Sequence, residues 1–133
     1  MNISAKIKSS YDHHAIDVQT NGDLKNITIQ PKSTGYGSSI NGGELLMLSL
    51  ATCFCNDLYR EANKRNIKIE TIEVECTSDF GAEGEPGSNF RYKAHVIADA
   101  SAEKIQSLIN HTDKVAEIHN TLRQGLSITL DNS

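Results

Sequence analysis

Gly43-Glu44-Leu45-Leu46-Met47-Leu48-Ser49-Leu50-Ala51-Thr52-Cys53-Phe54-Cys55-Asn56-Asp57-Leu58 is the most apolar stretch of the chain, and it turns abruptly charged through Arg60, Glu61, Lys64 and Arg65. An apolar run of this length without proline predicts a helix from about Gly43 to Arg65 that is buried on nearly every side, so a second layer has to wrap around it. Glu44 near its start and Lys64 and Arg65 near its end suit the helix dipole, and Asn66 is placed to close it in a left-handed conformation. A cysteine at the centre of such a helix is either inert filling or a guarded nucleophile.

Upstream of this helix the pattern is that of strands. Ile3, Ala5 and Ile7 alternate with polar residues, as do Ile16 and Val18, and Asn21-Gly22-Asp23 supplies a hairpin turn into Leu24-Lys25-Asn26-Ile27-Thr28-Ile29. This predicts a three-stranded antiparallel meander that Pro31 ends. The segment from Ser33 to Gly43 is polar and glycine-rich, a loop suited to gating a site. Downstream, Ile67 to Cys76 changes its apolar parity between Ile69 and Ile72, which predicts a bulge or a face switch in a long curved strand, and Phe90 to Val96 alternates cleanly as its partner strand. Ser101 caps a helix burying Ile105, Leu108 and Ile109. Thr112 is the candidate cap of a second helix burying Val115, Ile118 and Leu122 up to Gly125, and Leu126-Ser127-Ile128-Thr129-Leu130 reads as a closing strand. The fold class is α+β, antiparallel sheets around one long central cysteine-bearing helix, organised as a single domain over residues 1–133.

A chain of 133 residues buries a core without metal or disulfide staples. Its formal charge of −4 and scattered Lys and Arg argue against nucleic acid or an anionic membrane surface as partner. The N-terminus lacks the apolar core of a signal peptide, and the Leu45 to Leu58 run is too short to span a bilayer, so a cytoplasmic location is expected. The three cysteines have no framework spacing, which fits a reducing compartment.

Taken one by one, the cysteines differ. Cys76 alternates with Ile72 and Val74 and reads as core filling. Cys55 lies two positions from Cys53, about 200° away on a helix, so the two neither share a substrate nor form an unstrained disulfide. His111 and His119 lack the short paired spacing of zinc sites and His13-His14 lies beside a turn, so no metal and no other cofactor is expected. Cys53 on its own residues reads as core filling, as most buried thiols are, or as a nucleophile.

Gly43-Glu44-Leu45-Leu46, followed after four residues by Ala51-Thr52-Cys53-Phe54, resembles the Glu-Leu-Leu…Ala-Ser-Cys-Phe helix of the OsmC/Ohr family of osmotically induced and organic-hydroperoxide-resistance proteins. Ala116-Glu117-Ile118-His119-Asn120-Thr121-Leu122-Arg123 resembles its second motif, Cys-Pro-Val-Ser-Asn-x-Leu, and the order of elements along most of the chain matches as well. The resemblance implies an intertwined homodimer with a thiol site at the subunit interface, and thiol-dependent reduction of hydroperoxides. In that scheme the first cysteine, matched by Cys53, becomes a sulfenic acid and a second cysteine resolves it to a disulfide. The second cysteine falls on Ala116 here, the N-terminal arginine of the peroxidase branch has no match because the first arginine is Arg60, and the glutamate paired with it falls on Gly43, one position from Glu44.

A buried thiol without help is scarcely ionised near neutral pH, so something must favour the anion if Cys53 reacts. If Ala116 faces Cys53 as the resemblance implies, His119 and Arg123 fall on the same helix face and present positive charge to the sulfur. The candidate catalytic residues are therefore Cys53, Glu44 and His119, and the candidate substrate-binding residues Leu46, Leu50, Phe54 and Arg123. Two functional readings follow. One is a peroxide reductase whose sulfenate at Cys53 is resolved by an external thiol reductant. The other is a non-catalytic homodimer whose interface pocket holds a small apolar or oxidised ligand.

Overall fold

The computed structural model describes residues 1–131, which form an α+β chain of antiparallel sheets and helices. It divides into two compact units, Met1–Leu45 and Leu46–Ser133. In the first, β1 (Ile3–Ser10), β2 (His13–Thr20) and β3 (Asp23–Asn26) make the expected meander in the order β1-β2-β3. The turn into β3 has φ of 50° at Asn21 and 83° at Gly22. Two successive positive φ values are what a hairpin whose twist matches its strands demands, and Asn-Gly tolerates them best. The third strand is shorter than expected, since Ile27 to Ile29 stand outside the ladder.

Helix α1 spans Gly42–Lys64. Its start is fixed by a reciprocal cap, in which Glu44 N–H donates to Asn41 Oδ1 at 2.8 Å and Asn41 N–H donates to Glu44 Oε1 at 3.0 Å. Two of the helix's orphan donors are satisfied in this way.

In the second unit, β4 (Ile69–Asp79) and β5 (Ser88–Ala98) form a long antiparallel ribbon, with α2 (Ala102–Val115) and α3 (Glu117–Gln124) following. The expected bulge is present as a register shift between Ile69 and Thr71. It turns Ile72, Val74 and Cys76 to the face they share with Val96, Ala94 and Tyr92. The core gathers Phe54, Leu58 and Ala62 of α1 with Val96, Leu108 and Ala116, and Ile67, Ile69, Ile105 and Ile109 pack around it.

Two expectations are corrected. Thr112 does not cap a helix: it lies inside α2, fully buried, and its hydroxyl donates to the Leu108 carbonyl at 2.7 Å. That bond satisfies the hydroxyl without breaking the helix. The break falls at Ala116, whose extended backbone (φ −74°, ψ 111°) separates α2 from α3 with no side-chain cap. Leu126–Leu130 forms no strand, and Ile128 and Leu130 are almost fully exposed. Alternation specifies the face of a strand but not the edge it pairs with. Within one chain, α1 covers Leu50, Phe54, Leu58 and Ala62 and leaves Leu48 and Tyr59 exposed.

Candidate functional site

Cys53 occupies the middle of α1 one turn after Leu50, partly buried, on the flank of the stripe that packs into the core. Its Sγ donates to Asp57 Oδ2 at 3.3 Å, a contact made possible by the i,i+4 spacing. The backbone N–H of Ile118 also acts on the sulfur, favouring its anion. Ile118 stands in the first turn of α3, where N–H groups have no partner within the helix. The second motif is thus brought against the cysteine by its backbone.

Around the sulfur the charges are negative. Burial pushes the Cys53 thiol above the ordinary cysteine value; the Ile118 N–H works against this, and the Asp57 and Glu117 carboxylates add to it. Burial likewise raises the Asp57 carboxyl, helped by Glu117 and opposed by the thiol and Arg60. Glu117 is lowered, first by a backbone N–H bond at the start of its own helix. Arg60 ties these groups together: its Nη1 lies 3.0 Å from Asp57 Oδ1 and 2.9 Å from Glu117 Oε1, and its Nε 2.8 Å from Glu61 Oε2. Glu61 is buried and also receives Lys64 at 3.0 Å and His111 of α2 at 2.9 Å. Those three cationic or donor groups hold its carboxyl at about 2. Sγ of Cys53 and the carboxylates of Asp57 and Glu117 lie within 4.8 Å of one another, an arrangement with metal-ligand chemistry, but its anionic side already faces the Arg60 guanidinium.

A pocket of about 450 Å³ is lined by Leu46, Leu50, Phe90, Tyr92, His119 and Leu122, with Arg91 and Arg123 among its walls. Leu50 precedes Cys53 by one turn and His119 follows Ile118, so the pocket and the thiol draw on the same two helices, although Cys53 itself is not in the lining. Phe54 is fully buried beneath it, edge-on to Tyr92 at 4.8 Å and tilted against His119 at 5.5 Å.

The sequence-predicted residues distribute as follows. Leu46, Leu50, His119 and Arg123 meet in the pocket wall, with Phe54 behind them. Glu44 is in the first turn of α1 and spends its carboxylate on the cap with Asn41. His119 is buried, with neither ring nitrogen hydrogen-bonded. Burial, then the positive charge of Arg123, lower its pKa, so it is neutral at pH 7. Arg123 is engaged elsewhere, its Nη2 on Asp113 Oδ1 at 2.6 Å and its Nη1 on the Asp113 carbonyl at 2.9 Å. Asp113 also accepts from the Tyr92 hydroxyl, and these two donors overcome its burial and lower its pKa. The groups in contact with the sulfur, Asp57 and the Ile118 N–H, are not among those that the sequence reading selected. Asp57 had a legible signal, a carboxylate one turn from the thiol within an otherwise apolar run. Cys55 faces a different shallow pocket with Ala51, Asn56 and Val74, and all three cysteines are free thiols.

The profile of the OsmC-like protein family matches residues 35–131, nearly three quarters of the sequence. The chain belongs to the OsmC-like family. Its fold is also that of solved members. An OsmC-like protein from Mycoplasma pneumoniae aligns with a TM-score of 0.62 at 18% identity, covering 92% of this chain and 86% of that one. An OsmC-like hydroperoxide resistance protein from Jannaschia sp. CCS1 aligns with a TM-score of 0.57 at 16% identity, covering 95% and 87%. The organic hydroperoxide resistance protein OsmC from Legionella pneumophila aligns with a TM-score of 0.55 at 17% identity, covering 92% and 90%. At such identities the likeness establishes the fold alone. The comparison with curated proteins finds no match. Among the described residues, no helix is long and apolar enough to cross a membrane.

Proposed function

We propose that this OsmC-like protein reduces organic hydroperoxides through Cys53, as a cytoplasmic homodimer that draws its electrons from an external thiol. The observation that carries the reading is the setting of the sulfur: it donates to a proton acceptor, Asp57, and the Ile118 N–H favours its anion, on the helix whose Leu46 and Leu50 line an apolar pocket. The pocket suits the apolar body of an alkyl hydroperoxide, and the Ile118 N–H at the start of α3 favours negative charge on sulfur. The thiolate attacks the distal peroxide oxygen, the O–O bond breaks, and Cys53 becomes a sulfenic acid while an alcohol leaves. With Ala116 in the place of a second cysteine, one external thiol displaces water from the sulfenate and another releases Cys53 as the thiol.

Support for a dimer comes from apolar side chains that one chain leaves uncovered: Leu48 on α1, Ile3 and Ile7 on β1, and Ile128 and Leu130 near the C-terminus. A second reading, a non-catalytic protein binding an apolar ligand in the same pocket, is favoured by the upward push on the Cys53 thiol, which keeps it protonated near neutral pH. Intact mass spectrometry after brief exposure to cumene hydroperoxide decides between them. Catalysis predicts one added oxygen that a sulfenate trap captures and that Cys53→Ser abolishes; an unmodified protein under those conditions leaves only the binding reading.

A further inference from the structure

We infer that Asp57 is the proton carrier of the Cys53 reaction, taking the thiol proton before attack and returning it to the departing alkoxide, with Arg60 as the residue that positions it. This rests on the peroxide-reducing function proposed above and assigns a role within it that neither of the family motifs contains.

The placement of Asp57 needs an explanation of its own. It is only 6% exposed, on the helix stripe that buries Leu50, Phe54, Leu58 and Ala62 together with a second carboxylate, Glu61. A carboxylate there is costly unless paired, and an apolar residue would pack at less cost. Its two oxygens are used separately: Oδ2 accepts from the Cys53 thiol at 3.3 Å, and Oδ1 meets Arg60 Nη1 at 3.0 Å. The groups facing it are therefore Cys53 and Arg60 from α1 and Glu117 from α3, while Glu61, with His111 of α2, fixes Arg60 from behind. The guanidinium holds one oxygen in place and leaves the other directed at the sulfur.

A purely electrostatic view makes Asp57 a poor neighbour for a nucleophile, because its negative charge opposes a thiolate. Proton transfer removes that conflict. When the carboxylate takes the proton, one negative charge moves from oxygen to sulfur, and the Ile118 N–H is in place to receive it. The thiolate then attacks the distal oxygen of ROOH, forming S–O as O–O breaks. Sulfur loses two electrons and the peroxide bond gains them. RO⁻ is a strong base, and the proton held by Asp57 converts it to ROH, restoring the carboxylate. The sum is Cys–SH + ROOH → Cys–SOH + ROH.

The test compares two electrophiles on one protein. Iodoacetamide needs the thiolate but expels iodide, which requires no proton; cumene hydroperoxide expels a base that does. In Asp57→Asn, removal of the negative charge should leave alkylation of Cys53 as fast as in the wild type or faster, while sulfenate formation at neutral pH falls about a hundredfold, within the range of general acid–base catalysis. Asp57→Glu, which keeps a carboxyl, should recover most of the peroxide rate. Stopped-flow formation of trapped sulfenate and mass-resolved alkylation supply the two rates, and alkylation at a native rate also reports a native fold. Peroxide and alkylation rates that change together in Asp57→Asn, or a Glu variant as slow as the Asn variant, overturn the inference and leave Asp57 a structural tie. Wild-type protein that alkylates at Cys53 but forms no sulfenate overturns the peroxide-reducing reading itself, and the role of Asp57 with it.

Discussion

Truncating Phe54 tests whether the site rests on the core in the manner described. The ring is fully buried, meets Tyr92 of β5 edge-on at 4.8 Å and lies 5.5 Å from the His119 ring of α3. It therefore joins the helix, the ribbon and the segment that carries the Ile118 N–H. Returning such a side chain to water costs about 1.5–3 kcal/mol from transfer alone. The cavity left by Phe54→Ala brings the loss to about 3–5 kcal/mol. The edge-to-face contact contributes ~0.5–1.5 kcal/mol beyond area. About 4 kcal/mol is expected, whereas Phe54→Leu should cost about 1.5 kcal/mol or less because volume is largely kept.

Urea unfolding followed by circular dichroism measures both. With an m value of about 2 kcal/mol/M, Phe54→Ala should lower the midpoint by about 2 M with m unchanged. Alkylation of Cys53 should also become faster and lose its dependence on the fold. A loss below about 1.5 kcal/mol for Phe54→Ala, outside the range for a closed aromatic site, would show that the ring is not packed between these elements and refute the reasoning.

Four further outcomes follow from the same contacts. Cys53 should alkylate with an apparent pKa above the value of about 8.5 for a free cysteine, since burial and two carboxylates raise it, and Asp57→Asn should lower that value; a wild-type midpoint below 8.5 would place a positive charge at the sulfur instead. Glu61, held at about 2 by Arg60, Lys64 and His111, contributes stability that is present above its unfolded value of about 4.3 and is lost as pH falls through about 2; acid titration of Glu61→Gln should show a flatter stability profile between those values than wild type. Ala116→Cys should give a peroxide-dependent disulfide with Cys53, read as a loss of two hydrogens by mass under non-reducing conditions, because the two segments share the α1–α3 contact; a sulfenate that persists in this variant would show that the Cα atoms lie beyond the roughly 4.4–6.8 Å a disulfide spans. Sedimentation at micromolar concentration should return a dimer, and a folded monomer there would remove the assembly from the proposal.

What the sequence made legible follows from the range of each signal. The meander, the bulge between Ile69 and Ile72 and the cap at Ser101 come from neighbours in the chain, so local chemistry sufficed. Thr112 misled because a threonine ahead of an apolar period looks like a cap, whereas its hydroxyl bonds back one turn and the helix continues to Val115. Leu126–Leu130 misled because its alternation is real but its pairing is not a local property. For the site, the apolar run singled out Cys53, and Leu46 and Leu50 followed as its neighbours on the helix. Arg60 was legible only as a charge near a helix end, because its partners Glu117 and Glu61 include one that lies far along the chain.

The positive charge expected at the sulfur from His119 and Arg123 is drawn into a different task, and the reason is physical. A histidine buried against Phe54 and Tyr92 with no hydrogen-bond partner loses more by ionising than it gains from a distant thiolate, so it stays neutral. Arg123 gains more from a short ion pair with Asp113, which also anchors the Tyr92 hydroxyl and so fixes the wall of the pocket. Arg60 acts on the thiol through Asp57 rather than directly. A thiol in this setting is protected when no substrate is bound, because burial and the nearby carboxylates keep it protonated. It becomes a nucleophile only when the proton has somewhere to go. Asp57 is that destination before attack, and the departing oxygen of an alkyl hydroperoxide then takes the proton from it, a return that an electrophile such as iodoacetamide does not need. Selectivity for peroxide over other oxidants and alkylators then arises from proton delivery, in a pocket whose walls are otherwise apolar.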